Sequence, residues 1–302
     1  MKKILVPIDY SENSQNVFAH ALGIAQVAGA DIVLLHAFFP VISPPAAYNV
    51  TSVTRALEEG KQHELEEFAA NAKENIINQL SLEEATNLNQ VNITCITKMG
   101  GSFEQVMHAI KTYKADLVVM GMQVGEAVSQ ALIGSTTISV IEESSVPVLA
   151  VPKGITYKRV TSVVFAAALH KLPATTDLHL LRDFIINFNA KLQVLHLYRT
   201  SDQFEKFEAT EALEVLDRNF KDIEFEVNFD YRPDIAEGIQ DFIKETKAEL
   251  LILIPQKHNV LERLLDKSIT GRLTAHPLVP VLTLPHGILQ TSANTKEEAA
   301  SI

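Results

Sequence analysis

Val146-Pro147-Val148-Leu149-Ala150-Val151-Pro152 returns later in the chain as Val279-Pro280-Val281-Leu282-Thr283-Leu284-Pro285. One offset relates the two stretches (280 − 147 = 133 and 285 − 152 = 133), and it also sets Ser268 on Ser135. Each stretch reads as a buried strand, and its inner proline fits where the missing N–H faces away from the ladder. Further back, Leu34-Leu35-His36 matches Val194-Leu195-His196 at a larger offset (196 − 36 = 160). The first copy therefore carries an insertion between its second and last strands. The stretch Phe39-Pro40-Val41-Ile42-Ser43-Pro44-Pro45 is the natural place for much of it, because its prolines continue neither a helix nor a central strand.

Outward from these matches the whole chain alternates short β-branched runs with longer helix-like stretches, the pattern of a parallel sheet clothed in helices. Strands are expected at 3–8, 31–37, 91–97, 117–121 and 146–151. The order repeats at 162–166, 192–197, 223–229, 250–254 and 279–284. Nearly all are apolar throughout, as strands covered on both faces must be. Between the first two lies Ser11-Glu12-Asn13-Ser14, a helix N-cap cluster, followed by apolar residues at helical spacing and a stop at Gly29. The fold class is α/β: two repeated, doubly wound domains, each with a five-stranded parallel sheet. Domains are expected at 1–153 and 154–287, joined near Lys153-Gly154-Ile155-Thr156-Tyr157. A small, polar tail at 288–302 has little to bury and is expected to be mobile.

The bulk numbers suit this organisation and narrow the function. A chain of 302 residues is long for one core and right for two domains. The net charge of −11 argues against nucleic acid as a partner, since such proteins present a basic face. No apolar run is long enough to span a bilayer. The opening Met1-Lys2-Lys3-Ile4-Leu5-Val6 is stopped at once by Pro7, so it reads as a first strand and the cytoplasm is the expected location. Cys95 is the single cysteine, which rules out an internal disulfide and a cysteine zinc cage. It is read as a strand residue.

Ile4-Leu5-Val6-Pro7-Ile8-Asp9-Tyr10-Ser11-Glu12 resembles the opening strand of universal stress proteins, where an acidic residue closes the strand. Leu34-Leu35-His36-Ala37 is similar to their second strand and Asp116-Leu117-Val118-Val119-Met120-Gly121 to their fourth. Gly134-Ser135-Thr136 and Pro147-Val148-Leu149 complete the set. The resemblance covers both halves, the first more faithfully, and implies a tandem member with an adenine nucleotide alpha hydrolase-like fold. It also implies that the last strands, 146–151 and 279–284, pair as a pseudo-dimer within the chain, with room for a further homodimer.

Nucleotide-binding members of that family carry glycine, two residues, glycine, nine residues, glycine and then serine or threonine after the fourth strand. Glycines there let phosphates approach the backbone beside a helix N-terminus. Gly121 and Gly134-Ser135 fit the first and last positions, but Val124 stands at the middle one and Gly125 is a residue late. The resemblance implies ATP or another adenine nucleotide, with Mg2+ if bound. Asp9 would accept from the adenine or ribose edge, Ile8 and Ala37 would line the base, and Met120 would pack near it. Gly121, Gly125, Gly134, Ser135 and Thr136 would hold the phosphates. Two plainer readings stand beside this one: Asp9 caps the first helix, and the glycines merely shape a strand end and a helix start. Between Gly121 and Pro152 the charged residues are Glu126, Glu142 and Glu143, with no lysine or arginine to meet a polyphosphate.

In the second copy alanines (Ala166-Ala167-Ala168) replace the strand-end acid, and Ile254, Lys257 and Lys267 fall on Gly121, Val124 and Gly134. No ATP is expected there. Lys257, His258, Arg263, Lys267 and Arg272 read as a solvated helix face, with an anion or acidic partner as the sharper alternative. No GK[ST] loop, G-x-S-x-G or H-E-x-x-H occurs, and His36 and His196 sit at matching strand ends, which suits packing. The sequence thus favours a nucleotide-responsive or structural stress-response module. A protein-interaction scaffold stands second and a weak ATPase third.

Overall fold

The computed structural model describes residues 1–39, 50–78, 87–122, 135–200, 202–203, 209–254, 278–285 and 287. The chain divides into two compact units between Lys158 and Arg159. The tail at 288–302 and the basic stretch from Lys257 to Arg272 lie outside the described residues.

In the first unit the elements run β1 (Lys3–Pro7), α1 (Ser14–Ala28), β2 (Asp31–Phe38), α2 (Val50–Ile77), β3 (Ile93–Met99), α3 (Ser102–Tyr113), β4 (Leu117–Gly121), α4 (Ser135–Glu143) and β5 (Val148–Val151). All pairings are parallel, in the order β3-β2-β1-β4-β5. The central strand β1 carries Ile4, Leu5 and Val6, none with any exposed surface, because helices cover both faces. The second unit repeats this with β6 (Ser162–Ala166), α5 (His179–Phe188), β7 (Lys191–Tyr198), α6 (Ala209–Phe220), β8 (Phe225–Tyr231), α7 (Ile235–Thr246), β9 (Leu250–Leu253) and β10 (Val281–Thr283). Its parallel order is β8-β7-β6-β9-β10. Among the described residues no helix is long and apolar enough to cross a membrane.

The duplication extends to details of capping. The helix α7 starts and ends 133 residues after α3 (235 − 102 and 246 − 113), and the lysines that follow them, Lys114 and Lys247, both turn left-handed. An acid just before β4, Asp116, accepts the Lys2 and Lys3 amides at 2.5 and 2.9 Å. Glu249, 133 residues on, accepts the Thr161 and Ser162 amides at 2.7 and 2.9 Å. The strand-end histidines repeat as well: His36 Nδ1 lies 2.9 Å from the Ile8 carbonyl and His196 Nδ1 lies 3.0 Å from that of Ala167.

Two expectations need correcting. The inner prolines do not sit within strands: Pro147 and Pro280 precede β5 and β10, and their carbonyls accept the Val118 and Leu251 amides. The strands β3 and β8 lie about two residues later than the sequence suggested. Helix α2 has 28 residues against 12 in α6, so part of the extra chain lies there, while Pro40, Pro44 and Pro45 lie outside the described residues. The side chains of α2 hide this, since Glu58, Glu59, Lys61, Glu64, Glu66 and Glu67 crowd out an apolar stripe. Cys95, on β3, packs beneath α2, and burial pushes its thiol up to about 11, which leaves it a poor nucleophile.

The segment after β5 is fastened to α1. Tyr157 lies on Gly23, where an added Cβ would run into the Tyr157 ring, and its edge meets the His20 ring 5.5 Å away. His20 is 4% exposed, and its Nδ1 lies 2.9 Å from the Asn16 carbonyl. Burial lowers its basicity below the ordinary 6.5. Gly23→Ala and Tyr157→Ala should each cost about 1–2 kcal/mol, by displacing and by deleting the same ring. The double variant should be little worse than either alone; additive losses in chemical denaturation would show that the two are not coupled. Because folded His20 resists protonation, its contribution is complete above about pH 6.5 and drains as pH falls below that value, where only the unfolded chain takes up the proton. Stability measured against pH should fall less steeply in His20→Gln below about pH 6.5; an unchanged slope would exclude His20 as a source.

Candidate functional site

In the first unit the strand order reverses between β1 and its neighbours β2 and β4, which leaves a crevice beyond the carboxyl ends of the strands. A cleft of about 160 Å3 opens there. Its floor is apolar: Ile8 after β1, Leu35 and Ala37 of β2, and Met120 of β4, with Val17 of α1 and Val106 of α3 as walls. Its rim is hydroxyl-rich because three helices begin at it. Ser11 and Ser14 come from the start of α1, Ser102 opens α3, and Ser135, Thr136 and Thr137 open α4. Helix N-termini direct N–H groups and partial positive charge toward the cleft.

Local hydrogen bonds hold these elements in place. Asp9 Oδ1 accepts the Ser11 amide at 3.0 Å and the Ser14 hydroxyl at 2.9 Å, so it shapes the turn into α1 without taking a helix amide. Asn13 stands at the N-cap of α1 but makes no capping bond. Its Nδ2 instead donates to the Val151 carbonyl at 3.0 Å, and Asn16 Nδ2 reaches the Pro152 carbonyl at 3.3 Å, so α1 is stapled to the end of β5. The Thr137 hydroxyl donates to the Gly121 carbonyl at 3.0 Å and ties α4 to β4. Tyr10 takes a left-handed backbone (φ 59°), which is costly for a bulky residue. Its ring is held against His36 and Phe68, at 4.5 and 5.6 Å between centroids. Burial, with Glu64 and Cys95 nearby, pushes the Tyr10 phenol up to about 12.

Of the residues singled out in the sequence, Ile8, Asp9, Ala37, Met120, Gly121, Ser135 and Thr136 line this one cleft. Val124, Gly125, Glu126 and Gly134 lie outside the described residues. Gly121 has a packing reason of its own: an added Cβ would come within 3.1 Å of Asn13 Nδ2 and 3.2 Å of Val17 Cγ2. Sequence reasoning missed Asn13, Val17, Ser102, Val106 and Thr137. The available signal was Gly100-Gly101-Ser102, a helix start without a capping side chain.

The second unit is built differently at the matching positions. Where Gly101 precedes α3, Asp234 precedes α7, and its Oδ1 accepts the Ala236 and Glu237 amides at 3.0 and 3.1 Å. The matching helix end thus lacks an N-cap side chain in the first unit and carries a carboxylate cap in the second. Ile254 follows β9 where Gly121 ends β4. Beside the strand end, His196 packs against His170 and Tyr198, at 5.5 and 4.7 Å between ring centroids.

Comparison with known proteins bears on the whole arrangement. A family model described as the universal stress protein family matches residues 1–152. A universal stress protein from Methanocaldococcus jannaschii is 26% identical over 162 residues, which are 50% of this chain and 95% of the relative. Among solved structures, a universal stress protein from Archaeoglobus fulgidus superposes with a TM-score of 0.67 at 18% identity, covering 94% of this chain and 98% of that one. A functionally unknown protein from Pseudomonas aeruginosa gives a TM-score of 0.57 at 14% identity, covering 100% and 98%. At those identities the two structures speak for the fold, which extends over both units. The family match spans half of the chain, and it coincides with the unit that holds the cleft: this chain belongs to the universal stress protein family.

Proposed function

We propose that this chain is a stress-response module of the cytoplasm whose first unit binds an adenine nucleotide in the strand-end cleft. The observation that carries the reading is the convergence of three helix starts on an apolar floor at the point where the strand order reverses. A flat base suits Ile8, Ala37 and Met120, and a ribose or phosphate oxygen suits the hydroxyls and amides of the rim. Gly125 and Gly134 would complete the phosphate side.

The reading is of a binding module, not a hydrolase. Among the described lining residues Asp9 is the one carboxylate, and its Oδ1 is engaged by the start of α1. A Mg2+ ion would arrive on a polyphosphate, since among the described residues no cluster of three or more His, Cys, Asp or Glu could hold a metal. The second unit serves as a partner of the first without a nucleotide of its own, a role supported by the carboxylate cap on α7. A seam between the stretches 146–151 and 279–284 rests on their sequence match alone.

Mass spectrometry of the denatured, freshly purified protein, followed by calorimetry on the stripped full chain, tests the site. About one adenine compound per chain is expected. Gly134→Val and Ala37→Trp should each weaken binding by more than about tenfold, the first by blocking backbone approach and the second by filling the floor. Two sites per chain, or binding indifferent to both variants, would overturn the assignment. No binding of any adenine compound would leave the interaction-scaffold reading in its place.

A further inference from the structure

We infer that the outer edge of β8, in the second unit, pairs antiparallel with the same edge of a second copy of this chain, across a two-fold axis at Phe229. The strand stands at the end of the order β8-β7-β6-β9-β10, so one side of its backbone faces away from β7. The Arg232 amide donates to the Tyr198 carbonyl at 2.8 Å. Successive residues of a strand direct their N–H and C=O to opposite edges, so Glu226, Asn228 and Asp230 also face β7, and Val227, Phe229 and Tyr231 face outward. The Tyr231 amide is taken by the neighbouring Asp230 carboxylate at 2.8 Å, and pairing exchanges that bond for one to the second chain.

The first unit treats its matching edge differently. There β3 ends the sheet, the Asn92 carbonyl accepts the Ile32 amide, and by the same alternation Cys95 points outward. Helix α2 covers this edge: Gln62 Nε2 donates to the Cys95 carbonyl at 2.7 Å, and Lys73 Nζ reaches the Val91 carbonyl, just ahead of the strand, at 3.2 Å. In the second unit the shorter α6 packs toward α5 and the 169–171 turn, and no residue of β8 is buried. Phe229 and Tyr231 are 39% and 51% exposed, on the face they share with His196 and Tyr198. An edge strand that shows aromatic side chains in this way is a template for another strand.

The charge pattern of β8 identifies the occupant as a second copy, because the strand fits itself in one register. Outward-facing residues must oppose one another, and a two-fold axis at Phe229 achieves this. Phe229 meets Phe229 of the second copy and Val227 meets its Tyr231, each pair exchanging two backbone bonds. In the same register Glu226 lies opposite the second copy's Arg232, in one of the closer pairs that carry no backbone bond. Glu226 already meets Lys191 at 2.7 Å and Arg232 meets Asp230 at 2.8 Å, all with side chains accessible to solvent, so the four can join one network of alternating sign. Centring the axis on Asn228 would set Glu226 against Asp230. Centring it on Asp230 would set that acid against itself and place Pro233, which has no N–H, opposite Val227. Like charges directly opposed disfavour both alternatives. The other edge of this sheet, β10, takes no part.

A single strand pair buries less than a standard protein interface, so the dimer is expected to be weak and reversible, visible by sedimentation velocity on the full chain between about 1 and 200 μM. Phe229→Lys sets like charges on the axis, and Glu226→Arg or Arg232→Glu opposes like charges beside it. Each should weaken dimerisation by about tenfold or more. The two-fold symmetry adds a sharper expectation. In an equimolar mixture of Glu226→Arg and Arg232→Glu chains both cross pairs are again opposite in sign, so association should return to within about threefold of the original. That rescue would also show that both variants fold. A chain that stays monomeric throughout would overturn the inference and leave the edge to an extended peptide of another protein. A dimer indifferent to all three variants would overturn it as well, and a mixture no stronger than its components would overturn the register.

Discussion

The register of β1 against β4 fixes where the first unit's chemistry falls. Ile4 lies opposite Leu117 and Leu5 opposite Val118, and the Asp116 carboxylate locks this alignment by taking the Lys2 and Lys3 amides. From that fixed start, β1 ends where Ile8 reaches the cleft floor and Asp9 meets the start of α1. A slip of one residue would turn Ile4 and Val6 onto the face occupied by Leu5 and withdraw Ile8 from the floor. An acid at the opposite end of the sheet thus governs the site. The same device at Glu249 aligns β6 in the second unit. Its recurrence in both units marks the clamp as a requirement of the fold.

What the two copies share and what they do not follow different physical demands. Strand registers, left-handed helix ends and the histidine beside the first strand are common to both, because each closes the backbone of a doubly wound sheet. The helix starts that face the strand ends diverge. With Gly101 ahead of α3 no N-cap side chain accepts the first amides, and the Glu104 carboxylate lies over Gly101; with Asp234 ahead of α7 the cap itself accepts two amides. Asp in place of Gly at such a cap is worth only about a few tenths of a kcal/mol. The first unit forgoes that small gain beside Ser102 at the cleft, and the second takes it.

Legibility in the sequence followed the same division. Buried parallel strands announce themselves because both faces must be apolar, so Leu117–Gly121 and Ser162–Ala166 could be read to the residue. The long helix α2 could not, since Arg55, Glu59, Lys61 and Glu64 form exposed ion pairs that stabilise a helix without marking a face. Within the site, strand-end residues were legible because their positions follow from the strands. Asn13 and Thr137 were not: their side chains bond to Val151 and Gly121 carbonyls that only the folded chain brings near.

Gly121 shows why a glycine pattern is a weaker guide than the surface it helps to build. Its missing Cβ is already explained by Asn13 and Val17, which press α1 onto the end of β4. Packing alone disfavours a side chain at that position, whether or not anything bound. Yet the close approach has a second effect: it draws Asn13 to within reach of Val151 and holds the start of α1 at the rim, where Ser11 and Ser14 face the same space as Met120. Packing and site are therefore not competing explanations of the residue. The glycine permits the packing, the packing places the hydroxyls, and recognition depends on their position over an apolar floor.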